Sequence, residues 1–191
     1  MSRELGSIVE GHFEKIPDAP LTLSNGQVSK ELLKLLHEQI SHESYNAHLY
    51  LKIYAYLKNK GLDNLSVRFQ TQFAEENTHQ QKIVDYLTDR NEEVIVIETP
   101  KVDFIPMNII QIAQAYLAQE QMTTKRLKEI AMVAWNETDL LTFKFLQDML
   151  EIQRTEEEEA FTFLDQASMT QNDPKAVLMW NMGYAEVIEE N

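Results

Sequence analysis

The sequence predicts an all-α protein, a bundle of four long helices with one long crossover and a short fifth helix at the C-terminal end. Three observations carry that prediction. The chain has only five glycines and five prolines in 191 residues, and most of them fall between long stretches. Those stretches repeat apolar residues at helical spacing. One connection, Asn91 to Pro106, is far longer than the others.

Residues 1–28 read as a polar, irregular extension closing at the turn-like pair Asn25-Gly26. The domain proper is expected over 29–191. Ser29 offers an N-cap for a first helix running to about Lys60, where Gly61 supplies the stop. Asp63 is placed to cap a second, to about Arg90. Pro106 and Asn108 introduce a third, to about Trp135. Thr138 or Asp139 opens a fourth, to about Ser168. In "NDPKAVLMWNMGYAEVIEE", Asp173 is the N-cap and Pro174 the first helical residue of a short fifth helix. Its Val177, Leu178, Trp180 and Met182 need cover that a finished four-helix core cannot supply, which predicts subunit contacts.

The long connection, "NEEVIVIETPKVDFIP", is bounded by proline and carries a Val/Ile run that reads as extended. A helix of about 28 residues is roughly 42 Å long. An extended segment of about 15 residues reaches roughly 50 Å. The connection therefore spans the bundle and lets the second and third helices lie parallel, while the short links make the other neighbours antiparallel.

Composition narrows the function. With 43% hydrophobic and 25% charged residues the balance is that of one ordinary globular domain. A net charge of −14 disfavours nucleic acid and anionic membrane surfaces and favours cations. The lack of cysteine excludes disulfides, thiolate metal sites, Fe–S clusters and thiol nucleophiles. The first twenty residues lack the apolar core of a signal peptide, and no apolar run is long enough to span a bilayer. A cytoplasmic protein is expected.

Each long helix carries one glutamate inside its apolar stripe. The first reads Leu33, Leu36, Ile40, Glu43, Ala47, Tyr50, Tyr54, Leu57. The second reads Leu65, Phe69, Phe73, Glu76, His79, Ile83, Leu87. The third reads Ile110, Ala113, Leu117, Glu120, Thr124, Leu127, Ala131, and the fourth Leu146, Met149, Gln153, Glu156, Ala160, Leu164. A single such glutamate is ordinarily a partly exposed helix edge. Four at mid-helix, with Glu76 and His79 spaced i, i+3 on one face, are not. Buried together and unneutralised, they would repel one another strongly. Either their protonation changes or cations sit between them. Oxygen donors with one imidazole and no sulfur suit iron or manganese, with zinc a competitor. His12, His37, His42 and His48 have no ligand-like partner in sequence and are expected at the surface.

At this point the chain resembles the ferritin family, from about Leu32 to Ser168. The matching pieces are "HEQISHESYNAHLY", "FAEENTHQQKIVDYL", "YLAQEQ" and "FLQDMLEIQRTEEEEAF". The resemblance implies the ferritin-like topology and a di-iron ferroxidase centre. Glu43, Glu76 and His79 would hold one iron, and Glu76, Glu120 and Glu156 the other. Gln153 would lie beside the centre, and Tyr50 would match the tyrosine that can donate an electron. It further implies oxidation of Fe(II) by dioxygen or peroxide and mineral storage in a hollow 24-subunit shell. Where many bacterial ferritins place helix-four glutamates for a third iron, this chain has Ile152 and Thr155, though Glu75 remains. Two well-held irons are therefore expected, with any third bound weakly, mainly by Glu75. The family's tryptophan after "FLQ" is Asp148 here.

Three relatives of the resemblance fit less well. The alternative reading is a stand-alone di-iron carboxylate oxidase or peroxidase of rubrerythrin type, against which the absence of cysteine counts, since that family usually carries a four-cysteine iron module. A bacterioferritin needs a second E-x-x-H, where this chain has "QRTE", and a haem-ligating methionine beside Glu76, so no haem is expected. The mini-ferritins place metal between subunits and lack a fifth helix.

Overall fold

Four of the helices begin where a short polar side chain can take up a free backbone N–H. In the computed structural model, residues 27–188 are described, with side chains through Tyr184. They form α1 (Lys30–Asn59), α2 (Asp63–Asp89), α3 (Ile109–Asn136), α4 (Leu140–Met169) and α5 (Pro174–Ile188). Ser29 accepts from Leu32 N at 3.1 Å, Asn108 from Gln111 N at 2.9 Å, Asp139 from Thr142 N at 3.1 Å and Asp173 from Ala176 N at 2.9 Å. The second helix departs from expectation. Asp63 is its first residue rather than its cap, and Leu62 at the cap position offers no side-chain acceptor. The missing acceptor comes from α5, where Asn181 Oδ1 takes the N–H of Leu65 at 3.0 Å.

Gly61 ends α1 with φ +73°, and Leu62 N closes onto Leu57 O at 3.0 Å. Asn91 and Thr138 end α2 and α3 with φ near 60° as well, which lets the chain turn twice more without glycine.

The connection after α2 runs beside α1 in α1's own direction. His37 Nε2 lies 3.2 Å from Glu93 O, Ser41 Oγ donates to Glu98 O at 2.9 Å, Lys52 Nζ to Val102 O at 3.0 Å, and Tyr56 OH to Met107 O at 3.4 Å. It thus travels the bundle's length, and α3 begins at the end where α1 finishes. Helices α2 and α3 are parallel, as the crossover length predicts. The fold is an all-α four-helix bundle built from the pairs α1/α2 and α3/α4, with α5 laid against α2. Among the described residues no helix is long and apolar enough to cross a membrane.

Two apolar clusters fill the bundle. One gathers Tyr50, Phe69, Tyr116 and Phe163, whose rings meet edge-on or tilted at 5.4–6.1 Å. The other gathers Leu36, Ile83, Leu87, Leu127 and Leu146. Between them lies a layer of buried polar side chains. The expected extension over 1–28 lies outside the described residues save for Gln27 and Val28. Val28 is buried, its N–H on Glu92 Oε1 at 2.8 Å.

Candidate metal centre

The polar layer contains the glutamate of each long helix. Glu43, Glu76, Glu120 and Glu156 are buried, none more than 7% exposed, and so is His79. Glu43, Glu76 and His79 offer ligand atoms that all lie within 4.8 Å of one another. His79 Nε2 lies 3.1 Å from Glu156 Oε1, and its Nδ1 faces Glu76 Oε2 at 3.6 Å. Glu120 joins through α3: Tyr50 donates its hydroxyl to Glu120 Oε1, and Gln153 Nε2 donates to Oε2 at 2.6 Å. The structure therefore brings together Glu43, Glu76, His79, Glu120, Glu156, Tyr50 and Gln153.

Electrostatics make this layer costly without a cation. Burial, then the neighbouring Glu76, pushes the Glu43 carboxyl well above its ordinary range. Burial and Glu120 do the same to Glu76. Glu120 rises to about 7 by burial, against the opposing hydroxyl of Tyr50. Burial alone would push the His79 imidazole down, but the Glu156 carboxylate on its ring nitrogen outweighs that and raises it. The Tyr50 phenol is pushed up by burial and then by Glu120.

The hydrogen-bond accounting points the same way. Glu43 Oε2, Glu76 Oε2, Glu156 Oε2 and the amide oxygen Asn46 Oδ1 are buried without a hydrogen-bond donor. Buried oxygens of this kind ordinarily have partners. Once ionised, three carboxylate oxygens in one layer, beside an imidazole, form a pocket of acceptors whose natural complement is a divalent cation. Glu120 has a donor on each oxygen, but each oxygen keeps a further lone pair.

Glu75 lies at the edge of this layer, half-buried. It accepts from Gln72, and its carboxyl is raised by burial and then by Glu156. The positions expected to lack third-site ligands are non-acidic: Ile152 is half-buried and Thr155 exposed. Glu159 is engaged elsewhere, accepting from Arg68, which also donates to Tyr116 OH at 2.7 Å. Arg68 thus places a fixed cation beside Glu75 and Glu159.

Several supporting residues escape a reading of apolar stripes. Gln39, Asn46, Gln72 and Thr123 are buried around the four glutamates. Asn46 Nδ2 donates to Thr123 Oγ1 at 3.1 Å, and Gln39 Nε2 to Glu43 Oε1 at 2.7 Å. A polar residue four before or three after a stripe glutamate was the available signal.

Two histidines expected at the surface are not there. His37 is buried and pins the crossover, receiving Ile95 N–H at 3.2 Å. His42 is partly buried with Nε2 2.9 Å from Thr123 Oγ1, and its pKa is lowered to about 4 by burial and then by Arg126. His48 is exposed, and His12 lies outside the described residues.

A family model described as "Ferritin-like domain" matches residues 33–170. A bacterial non-heme ferritin of Staphylococcus epidermidis is 34% identical over 155 residues, covering 80% of this chain and 92% of its own. One of Staphylococcus aureus is 31% identical over the same shares. Among solved structures, an open-pore ferritin from the hyperthermophilic archaeon Archaeoglobus fulgidus superposes with a TM-score of 0.79 at 26% identity. It covers 82% of this chain and 96% of that one. A Chlorobium tepidum ferritin gives a TM-score of 0.73, also at 26% identity, over 82% and 94%. With most of its length matched by the family model, and a buried Glu/His layer where its helices meet, the chain belongs to the ferritin family.

Proposed function

We propose that the protein stores iron, taking up Fe(II) as substrate, oxidising it in the buried four-glutamate layer with dioxygen or peroxide, and keeping the Fe(III) product as mineral in an oligomeric shell in the cytoplasm. One observation carries the reading: three carboxylate oxygens without donors, from three helices, in a buried layer with His79. In this reading Glu43, Glu76 and His79 hold one iron, and Glu76, Glu120 and Glu156 the other. Glu76 bridges the two.

The remaining residues divide the work. Gln153 fixes Glu120 by donating to Oε2, and Tyr50 donates its hydroxyl to Oε1. Were Tyr50 to supply an electron to the dioxygen or peroxide oxidant, its phenolic proton would pass to the Glu120 carboxylate it already contacts. Ile152, Thr155 and the engagement of Glu159 by Arg68 support two strongly held irons, with a third bound weakly at Glu75. Leu178, Met179, Met182 and Met169, exposed on and beside α5 in the single chain, support subunit contacts in a shell, read here as one of 24 subunits, whereas Val177 and Trp180 pack on the chain's own core.

The direct test of the oxidation step is Glu76→Ala. The rapid phase of Fe(II) oxidation, followed by absorbance after anaerobic mixing and exposure to oxygen, should disappear while the helical circular dichroism signal stays. Loss of a buried ionisable carboxyl should also hold or raise the melting temperature of the metal-free protein. An undiminished initial rate would contradict the assignment.

A further inference from the structure

We propose that Arg126 is a positioning residue for the metal centre, acting on Glu43 through the amide of Gln39. The proposal rests on reading Glu43 as a metal ligand. Arg126, on α3, donates from Nε to Gln39 Oε1 at 2.9 Å. Gln39, fully buried on α1, donates from Nε2 to Glu43 Oε1 at 2.7 Å.

The direction of this chain is dictated by chemistry. A glutamine amide can present either its carbonyl or its NH2 to a neighbour. A guanidinium has only donors, so Gln39 must turn its carbonyl to Arg126. Its NH2 is then committed to Glu43, whose carboxylate, once ionised to bind a cation, can only accept. With Oε1 held in this way, Oε2 is the Glu43 oxygen left without a donor, in the layer it shares with Glu76 and His79. The positive charge polarises the amide and strengthens its donation.

A surface role would pair Arg126 with a carboxylate. In a chain with 31 acidic residues against 17 basic ones, the partner of this half-buried cation is instead a fully buried neutral amide. Without the Arg126 donor, the amide of Gln39 can turn its carbonyl to Glu43, where it favours the protonated carboxyl over the carboxylate that a metal needs.

The test is an anaerobic titration of the metal-free protein with cobalt(II), read by its visible ligand-field absorption. Wild type, Glu43→Ala, Arg126→Met, Arg126→Lys, Gln39→Leu and the Gln39→Leu/Arg126→Met double variant are compared. The proposal expects Arg126→Met to weaken cobalt binding about 10- to 100-fold, the scale on which outer groups tune metal sites. Arg126→Lys should stay near wild type, because an ammonium also only donates. The double variant should bind no more weakly than Gln39→Leu alone. Equal affinities of wild type and Arg126→Met would overturn the proposal while leaving Glu43 a ligand. So would additive losses in the double variant, which would mean that Arg126 acts other than through Gln39. A cobalt signal undiminished by Glu43→Ala would overturn the ligand reading and the proposal with it.

Discussion

Glu43, Glu76 and Glu120 each gain a carboxyl pKa above the ordinary range because burial favours the neutral form. A carboxyl raised on folding stabilises the fold fully below its unfolded value. That contribution is lost as pH climbs through the folded value, which for Glu120 is about 7. The metal-free protein should therefore be most comfortable with protons in this layer, and a cation must displace them. Divalent metal binding at pH 6 is expected to release protons, and affinity to rise with pH through about 7. Calorimetric titration in buffers of different ionisation enthalpy measures the release directly. Binding at pH 6 with no net proton release would contradict the electrostatic account of the layer.

At the scale of elements, the helix starts at Ser29, Asn108, Asp139 and Asp173 were legible because each cap lies beside the helix it serves. The start of α2 was not, because its acceptor is Asn181, 116 residues from Leu65 in sequence. Asn181 also accepts on its backbone oxygen from Asn64 Nδ2 at 2.9 Å, and nearby Trp180 packs on Phe163 at 5.0 Å. Helix α5 is thereby joined to α2 by hydrogen bonds as well as apolar cover. Replacing Asn181 by alanine should cost about 1 kcal/mol, the usual worth of an N-cap, as a lower midpoint in thermal or urea unfolding. An unchanged midpoint would mean that water serves Leu65 equally well. The apolar stripes were legible with an offset. Leu32, Tyr116, Thr123 and Phe163 are buried, where Leu33, Leu117, Thr124 and Leu164 were expected and are only partly so. A one-residue-per-turn line is narrower than the face a bundle helix buries, and neighbouring helices decide which edge lies deeper. The glutamates at mid-stripe were insensitive to that choice. Gln39 carried a signal, a polar residue four before Glu43, but its pairing with Arg126 carried none, since that depends on α1 and α3 lying side by side.

At the scale of the molecule, the long crossover sets the order of the helices, and the order brings four mid-helix glutamates to one level. His37 and Ser41 hold its first half against α1, and Lys52 and Tyr56 its second. The glutamate layer then divides the apolar core into two clusters, a sacrifice of burial that a purely structural bundle has no reason to make. The claim that this layer exists to hold iron is tested most directly by crystals grown metal-free, soaked in Fe(II) and measured on both sides of the iron absorption edge. Anomalous scattering should place two well-occupied irons per subunit, one among Glu43, Glu76 and His79 and one among Glu76, Glu120 and Glu156, with at most weak density at Glu75. Iron absent from the layer, or a third fully occupied iron ringed by Glu75 and Glu159, would contradict the account.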